Sequence, residues 1–222
     1  MNTLPLMGCE MTNEIPVVPS EGVVRAFPFA GDDGALVKAL REGHPGAAAA
    51  LYDRYASHVQ RVIVRILGFD SDIEDLLQEV FLQALGSVST IEDGNRLRGW
   101  ITIVAVHTAR AHIRRRSKKR WLLFWEPSSL PDVPGACTDF ETREILRFTY
   151  GVLDRMSAKE RILLTLRHFD GMPLVELAEL NGVSLATVKR QLDKAQMRFT
   201  KIAQRYPLLA AHLAEVGKWR SQ

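Results

Sequence analysis

The chain has 222 residues, is 46% hydrophobic and 25% charged, and carries a net charge of +3. That balance excludes a wholly disordered chain, a collagen-like repeat and a disulfide scaffold. Two cysteines, Cys9 and Cys137, match no clustered metal-ligand spacing, and no apolar run approaches the ~20 residues of a membrane span.

The start, MNTLPLMGCEMTNEIPVV, has neither a basic n-region nor a long apolar h-region, so a cytoplasmic protein without membrane insertion is expected. Residues 1–32 mix Pro, Gly and scattered apolar residues without period and read as a flexible leader. From Asp33 the pattern is helical. Leu51, Tyr55, Val59, Val62 and Ile66 make one apolar stripe, closed by Gly68 as a C-cap. Ser71 and Glu74 in SDIE have capping-box spacing and predict a helix start. Ile73, Leu76, Leu77, Val80, Phe81, Ala84 and Leu85 are its expected buried face, with Gly86 as its end. SVSTIEDGNR reads as a loop. A further helix is predicted from about Leu97 to Arg116, with Ile101, Val104, Ala105, Ala109 and Ile113 inward.

Residues 121–138 hold Pro127, Pro131, Pro134 and Gly135 and read as a linker, although it opens on the apolar run WLLFW. Helical period resumes near Asp139, with Ile145, Thr149, Val152 and Leu153 on one face. Ser157 and Glu160 in SAKE form a second capping box, and that helix is expected to end at Gly171. A short helix follows Pro173 as far as Asn181. Asn181-Gly182 turns the chain, and Ser184 caps a long helix reaching about Arg205. No stretch alternates with period two for long enough to be a strand. The expected fold class is therefore all-α, with two small helical domains, 33–120 and 139–205, joined by a flexible linker over 121–138. Residues 206–222 are left as a tail.

The charge distribution says more than the net charge. Arg110 to Arg120 holds seven bases and no acid, Trp121 to Thr142 four acids and no base, and Lys189 to Arg205 six bases and one acid, Asp193. Two basic patches flanking an acidic stretch suggest two nucleic-acid contacts joined by a linker. PLVELAELNGVSLATVKRQLDKA has the steric register of a helix-turn-helix. With Leu174 as position one, small Ala178 falls at five, Gly182 at nine and β-branched Val188 at fifteen. Its second helix exposes Ser184, Thr187, Lys189, Arg190, Gln191 and Lys194, all able to reach phosphates or base edges, while Val188 and Leu192 point inward. Arg198 lies further along and suits a phosphate contact. In DSDIEDLLQEVFLQAL, helix-start electrostatics accounts for Asp72, Glu74 and Asp75, but not for Gln78 and Glu79 a turn later. That polar face is consistent with a protein partner.

IEDLLQEVFLQAL, then the tryptophan-led LRGWITIVAVHTARAHIRRRSKK, then a helix-turn-helix ending in ATVKRQLDKAQ, resembles the extracytoplasmic-function (ECF) branch of bacterial RNA polymerase sigma factors over about residues 33–205. The resemblance implies a region-two domain over 33–120 that grips the clamp coiled coil of the polymerase largest subunit and melts and reads the minus-ten promoter element. It implies a region-four domain over 139–205 that sits on the flap of the second-largest subunit and reads the minus-thirty-five element. The acidic linker would thread toward the catalytic channel, and an anti-sigma factor is an implied partner. By position, Asp75, Gln78 and Glu79 match the polymerase-contact helix. Loop residues Thr90 to Arg98, including Asn95, Arg96 and Arg98, match the base-capturing loop. Arg114, Arg115, Arg116, Lys118 and Lys119 match the backbone-contacting end of region two. Ser184 to Lys194 match the recognition helix. Family members often have Asn at His107, Asp at Ala111 and SRLxRAR where this chain has KRQLDKAQ.

An enzyme is not expected. The six histidines, His44, His58, His107, His112, His168 and His212, are scattered, and His107 and His112 are off the same-face spacing of a helical zinc site. No nucleophile elbow or Gly-rich phosphate loop is present, so no catalytic residue, metal or cofactor is assigned. The alternative is a classical helix-turn-helix regulator with an N-terminal sensing domain, which would bind a palindromic operator alone. A pure interaction adaptor would show no salt-sensitive affinity for nucleic acid.

Overall fold

The computed structural model describes residues 29–68, 70, 72–91, 93–122 and 140–215, without the side chains of 118–122. The leader up to residue 28, linker residues 123–138, Cys9 and Cys137 lie outside the described residues. Within the described residues the fold is all-α, in two helical domains. The helices are α1 (Asp33–Arg41), α2 (Ala47–Leu67), α3 (Ile73–Ser87), α4 (Leu97–Leu122), α5 (Phe140–Leu153), α6 (Ala158–His168), α7 (Leu174–Asn181), α8 (Leu185–Ala203) and α9 (Pro207–Glu215). The chain forms two compact units that divide inside α2, after Val64, and inside α4, after Ala109.

In the first unit, α1 starts because the Asp32 carboxylate accepts the Ala35 amide at 2.8 Å, which satisfies one of the helix's orphan donors. α1 is tied to α2 by one carboxylate: Asp33 accepts from Arg54 Nη1 at 2.7 Å and from the Tyr55 hydroxyl. Burial, and then that carboxylate, push the Tyr55 phenol above its ordinary pKa. The predicted α2 stripe is the core face: Leu51, Tyr55, Val59, Val62 and Ile66 are all buried. On α3, Ile73, Leu76, Leu77, Val80, Phe81 and Ala84 are buried as expected, and Leu85 is not, at 38% exposure. Leu85 lies seven residues past Gln78, close to two full turns, so it shares the exposed face of Gln78. The N-cap of α3 is Asp72, which makes no side-chain cap bond, and Ser71, on which the predicted capping box rests, lies outside the described residues. Gly86 does not stop it; Ser87 does, its hydroxyl donating to Gln83 O at 2.6 Å before a 3-10 turn at Val88–Thr90. On α4, Ile101, Ala105 and Ala109 are fully buried, while Val104 and Ile113 are half-buried.

The second unit takes in the last turn of α2, the C-terminal part of α4 and everything from α5 onward. The α6 capping box is present with both bonds: Glu160 N to Ser157 Oγ at 3.3 Å and Ser157 N to Glu160 Oε2 at 3.0 Å. α6 ends at His168 rather than at Gly171. Pro173 is the N-cap of α7. Gly182 adopts φ 61°, ψ 37°, the left-handed turn that the motif requires. Ser184 caps α8, accepting the Thr187 amide at 3.2 Å. Ala178, Val188, Leu192, Ala195 and Phe199 close the α7–α8 core. Arg161 is buried at 4% exposure and its charge is satisfied: Nε donates to Ile66 O at 2.6 Å and the guanidinium pairs with Asp154. Beyond Arg205, where no element is predicted, α9 forms. Its Leu209 is fully buried, and Tyr206 just before it stands 5.0 Å from the Phe148 ring.

Candidate functional site

Three groups of predicted site residues can be located. The first is the outer face of α3. Asp75 and Gln78 are exposed, and Glu79 is half-buried, accepting from Gln83 Nε2 at 3.1 Å. On the same stripe as Asp75 and Gln78 stand Leu82, 70% exposed, and Leu85. Steps of three, four and three residues align 75, 78, 82 and 85. An exposed leucine pair beside carboxylates and an amide gives a face that is apolar at one end and acidic at the other. Sequence reading missed Leu82 and buried Leu85. The signal was available in their spacing from Gln78.

The second group is the loop before α4 and the basic end of α4. The loop contains the Val88–Thr90 turn and a second 3-10 turn at Gly94–Arg96, capped by Asp93, whose carboxylate accepts the Asn95 amide at 2.9 Å. Asn95, Arg96 and Arg98 are exposed. Trp100 is half-buried and donates from Nε1 to Thr90 Oγ1 at 3.3 Å. On α4, Arg114 and Arg115 are exposed, while Arg116 pairs with Asp70. The side chains of Lys118 and Lys119 lie outside the described residues. Arg110 donates to Asn181 Oδ1 at 3.1 Å, and burial, followed by the charge of Arg114, holds its pKa below the ordinary value.

The third group is α8. Ser184, Lys189, Arg190, Lys194 and Arg198 are exposed and Thr187 is half-buried. Arg190 and Lys194, one turn apart, share a face. Gln191 differs from expectation: it is half-buried, and its Oε1 is enclosed without a hydrogen-bond partner among the described residues. The carbonyl half of its amide is turned inward, so bidentate readout of a base is not available in this conformation. Arg198 is held by Glu160, Nη1 to Oε2 at 3.0 Å. Burial alone would raise the Glu160 pKa. The Ser157 bonds and Arg198 outweigh it and hold the carboxyl below its ordinary value. Behind α8, His168 and Gln196 share a 2.9 Å hydrogen bond. Burial, then the charge of Arg167, push the imidazole down to about 4.

The described residues thus present an acidic-apolar face on α3, an exposed basic stretch on α4 and a capped helix-turn-helix with exposed cations on α8. The model of Sigma-70 region 2 matches residues 51–119, and that of Sigma-70, region 4 matches residues 150–196. The ECF RNA polymerase sigma-E factor of Haemophilus influenzae is 24% identical over 173 residues, covering 74% of this chain and 91% of that protein. The ECF RNA polymerase sigma factor SigC of Mycobacterium tuberculosis is 26% identical over 171 residues, covering 75% and 90%. This chain belongs to the ECF branch of the sigma-70 family. As a sigma factor it binds core RNA polymerase and directs promoter-specific transcription initiation. The sigma factor's fold agrees with solved structures. RpoE, crystallised with the anti-sigma factor NepR from Bartonella quintana, superposes with a TM-score of 0.53 at 16% identity, over 69% of this chain and 94% of that one. CnrH in complex with the cytosolic domain of CnrY superposes with a TM-score of 0.51 at 16% identity, over 78% and 98%. Among the described residues no helix of this sigma factor is long and apolar enough to cross a membrane.

Proposed function

We propose that this sigma factor divides its work between two modules, region two over 33–120 and region four over 139–205, with distinct residues for each contact. Asp75, Gln78 and Glu79 on α3, extended by Leu82, bind the clamp coiled coil of the polymerase largest subunit. Asn95, Arg96 and Arg98 capture bases of the minus-ten element, and Arg114, Arg115, Arg116, Lys118 and Lys119 hold the backbone beside it. Region four sits on the flap of the second-largest subunit. There Arg190, with Ser184, Thr187, Lys189 and Gln191, reads the minus-thirty-five element, while Lys194 and Arg198 contact phosphates. The acidic stretch 121–142 follows the path toward the catalytic channel, where a negative segment suits a surface lined for nucleic acid. The chain does no chemistry itself and acts on the cytoplasmic polymerase. An anti-sigma factor restrains it, a reading supported by the structural neighbour RpoE, which was crystallised with the anti-sigma factor NepR.

The observation that carries the assignment is the exposed α3 stripe. A helix that spends its outer face on Asp75, Gln78 and a 70% exposed Leu82, rather than on scattered charges, has the composition of a partner surface. The test is polymerase dependence. Promoter duplex should be bound weakly by the free chain and tightly once core polymerase is added. Tight binding of a palindromic duplex by the chain alone would instead favour a classical regulator.

A further inference from the structure

We propose that α1 is the brace that sets the position of the base-capturing loop, with Gly94 and Arg41 as positioning residues for promoter reading. The inference rests on the reading of Thr90 to Arg98 as that loop. The helix α1 lies outside the residues matched by the region 2 model, 51–119.

The loop has little regular backbone of its own, two 3-10 turns, and is held from outside. Thr90 Oγ1 donates to Ser87 O at 2.8 Å and accepts from Trp100 Nε1 at 3.3 Å. The Ile91 side chain is buried at 3% exposure, and its carbonyl accepts a hydrogen bond from the Arg41 guanidinium on the last turn of α1. The remaining hold is steric. A Cβ on Gly94 would stand 2.6 Å from Gly34 Cα, 3.3 Å from Gly34 N and 3.5 Å from Asp33 O. These are backbone atoms of the first turn of α1, so no side-chain rotation relieves the overlap. Gly94 is not among the glycines with positive φ, so its own backbone would accept an alanine and only α1 refuses it.

α1 is itself fixed. Leu36 and Val37 are buried, and Asp33 ties its first turn to Arg54 and Tyr55 of α2. Position is therefore passed from α2 through Asp33 to α1. Gly34 against Gly94 and Arg41 on Ile91 pass it on to the loop that carries exposed Asn95, Arg96 and Arg98. Groups that capture a base must be held to within a fraction of an ångström by neighbours that are locked in turn. A loop lifted from α1 by one methyl group would still present the same side chains, but out of register with the bases.

The test uses the full chain with core polymerase and the variants Gly94→Ala, Arg41→Ala, Arg41→Lys and Asn95→Ala. Core affinity and open-complex formation are measured across single-base substitutions of the minus-ten element. Gly94→Ala should keep core affinity within about twofold while losing roughly tenfold or more of open complex, with its base preference flattened. Arg41→Ala should do the same more mildly. Arg41→Lys should recover part of the loss, because an ammonium still donates to the Ile91 carbonyl. If Gly94→Ala fails to fold, the Arg41 pair decides alone. Wild-type preference in Gly94→Ala and Arg41→Ala, with altered preference in Asn95→Ala, would overturn the brace. Loss of core affinity in step with opening would overturn it as well, since that is general destabilisation. An unaltered Asn95→Ala would remove the loop reading itself, and the brace with it.

Discussion

Glu160 binds Arg198 at 3.0 Å with the same carboxylate that closes the capping box on Ser157. One acid therefore starts α6 and restrains a cation on α8. To reach a phosphate, Arg198 must leave that partner, whereas no ion pair competes for Lys194 among the salt bridges of the described residues. Lys194→Ala should lower the salt slope of promoter binding by about one, and Arg198→Ala by less. Ser157→Ala should cost about 0.5–2 kcal/mol of stability through the lost cap. Salt titrations and denaturant midpoints check the two halves. Equal slope changes for Arg198 and Lys194 would show that Glu160 does not restrain the arginine.

On α3 the exposed and buried faces make opposite predictions. Charge reversal at Asp75 or Glu79, or Leu82→Ser, should weaken binding to core polymerase and leave helicity intact. Phe81→Ala on the buried face should cost about 3–5 kcal/mol and unfold the domain instead. Circular dichroism beside a core-binding titration separates the two. Undiminished core affinity in all three surface variants would take the polymerase contact away from this face.

His168 gives the second unit a calculable response to pH. Burial, and then Arg167, push its folded pKa down to about 4 from the ordinary 6.5. Above 6.5 the imidazole is neutral both folded and unfolded, and the contribution is whole. As pH falls from 6.5 toward 4 only the unfolded chain takes the proton, so stability falls, by at most about 1.4 kcal/mol per pH unit. Urea midpoints measured from pH 7.5 to 4.5 should drop more steeply for the wild type than for His168→Gln. Parallel curves would show that His168 does not titrate as its burial dictates.

Much of this architecture was legible in residue spacing. The α2 stripe, the α6 capping box, Gly182 and the Ser184 cap depend on neighbours within a turn or two, and they stand where spacing put them. The misses have identifiable physical origins. Leu85 is apolar, but two turns from Gln78 it shares that residue's face, and face outweighs hydrophobicity. α9 escaped because its anchors are tertiary: fully buried Leu209, and Tyr206 against Phe148. Of the site residues, the α3 face and α8 could be read from helix period. The Glu160–Arg198 pair and the approach of Gly34 to Gly94 join residues far apart in the chain, which no local pattern encodes.

On the recognition helix, exposed Arg190 and half-buried Gln191 should part company. Arg190→Ala should cost about 1–3 kcal/mol and relax preference at one position of the minus-thirty-five element. Gln191→Ala should cost less, because its carbonyl is turned away from solvent. Promoter-variant scans against each protein measure this. A uniform loss across all variants would move Arg190 to the phosphate contacts.

The central claim is that this chain supplies promoter choice to a polymerase that lacks it. Run-off transcription with purified core polymerase, on DNA from the chain's own upstream region, tests it most directly. With the chain added, one discrete transcript should appear, and it should vanish when either the minus-ten or the minus-thirty-five element is replaced. The account is contradicted if core polymerase yields the same products with and without the chain, or if the chain only suppresses transcription driven by another sigma factor.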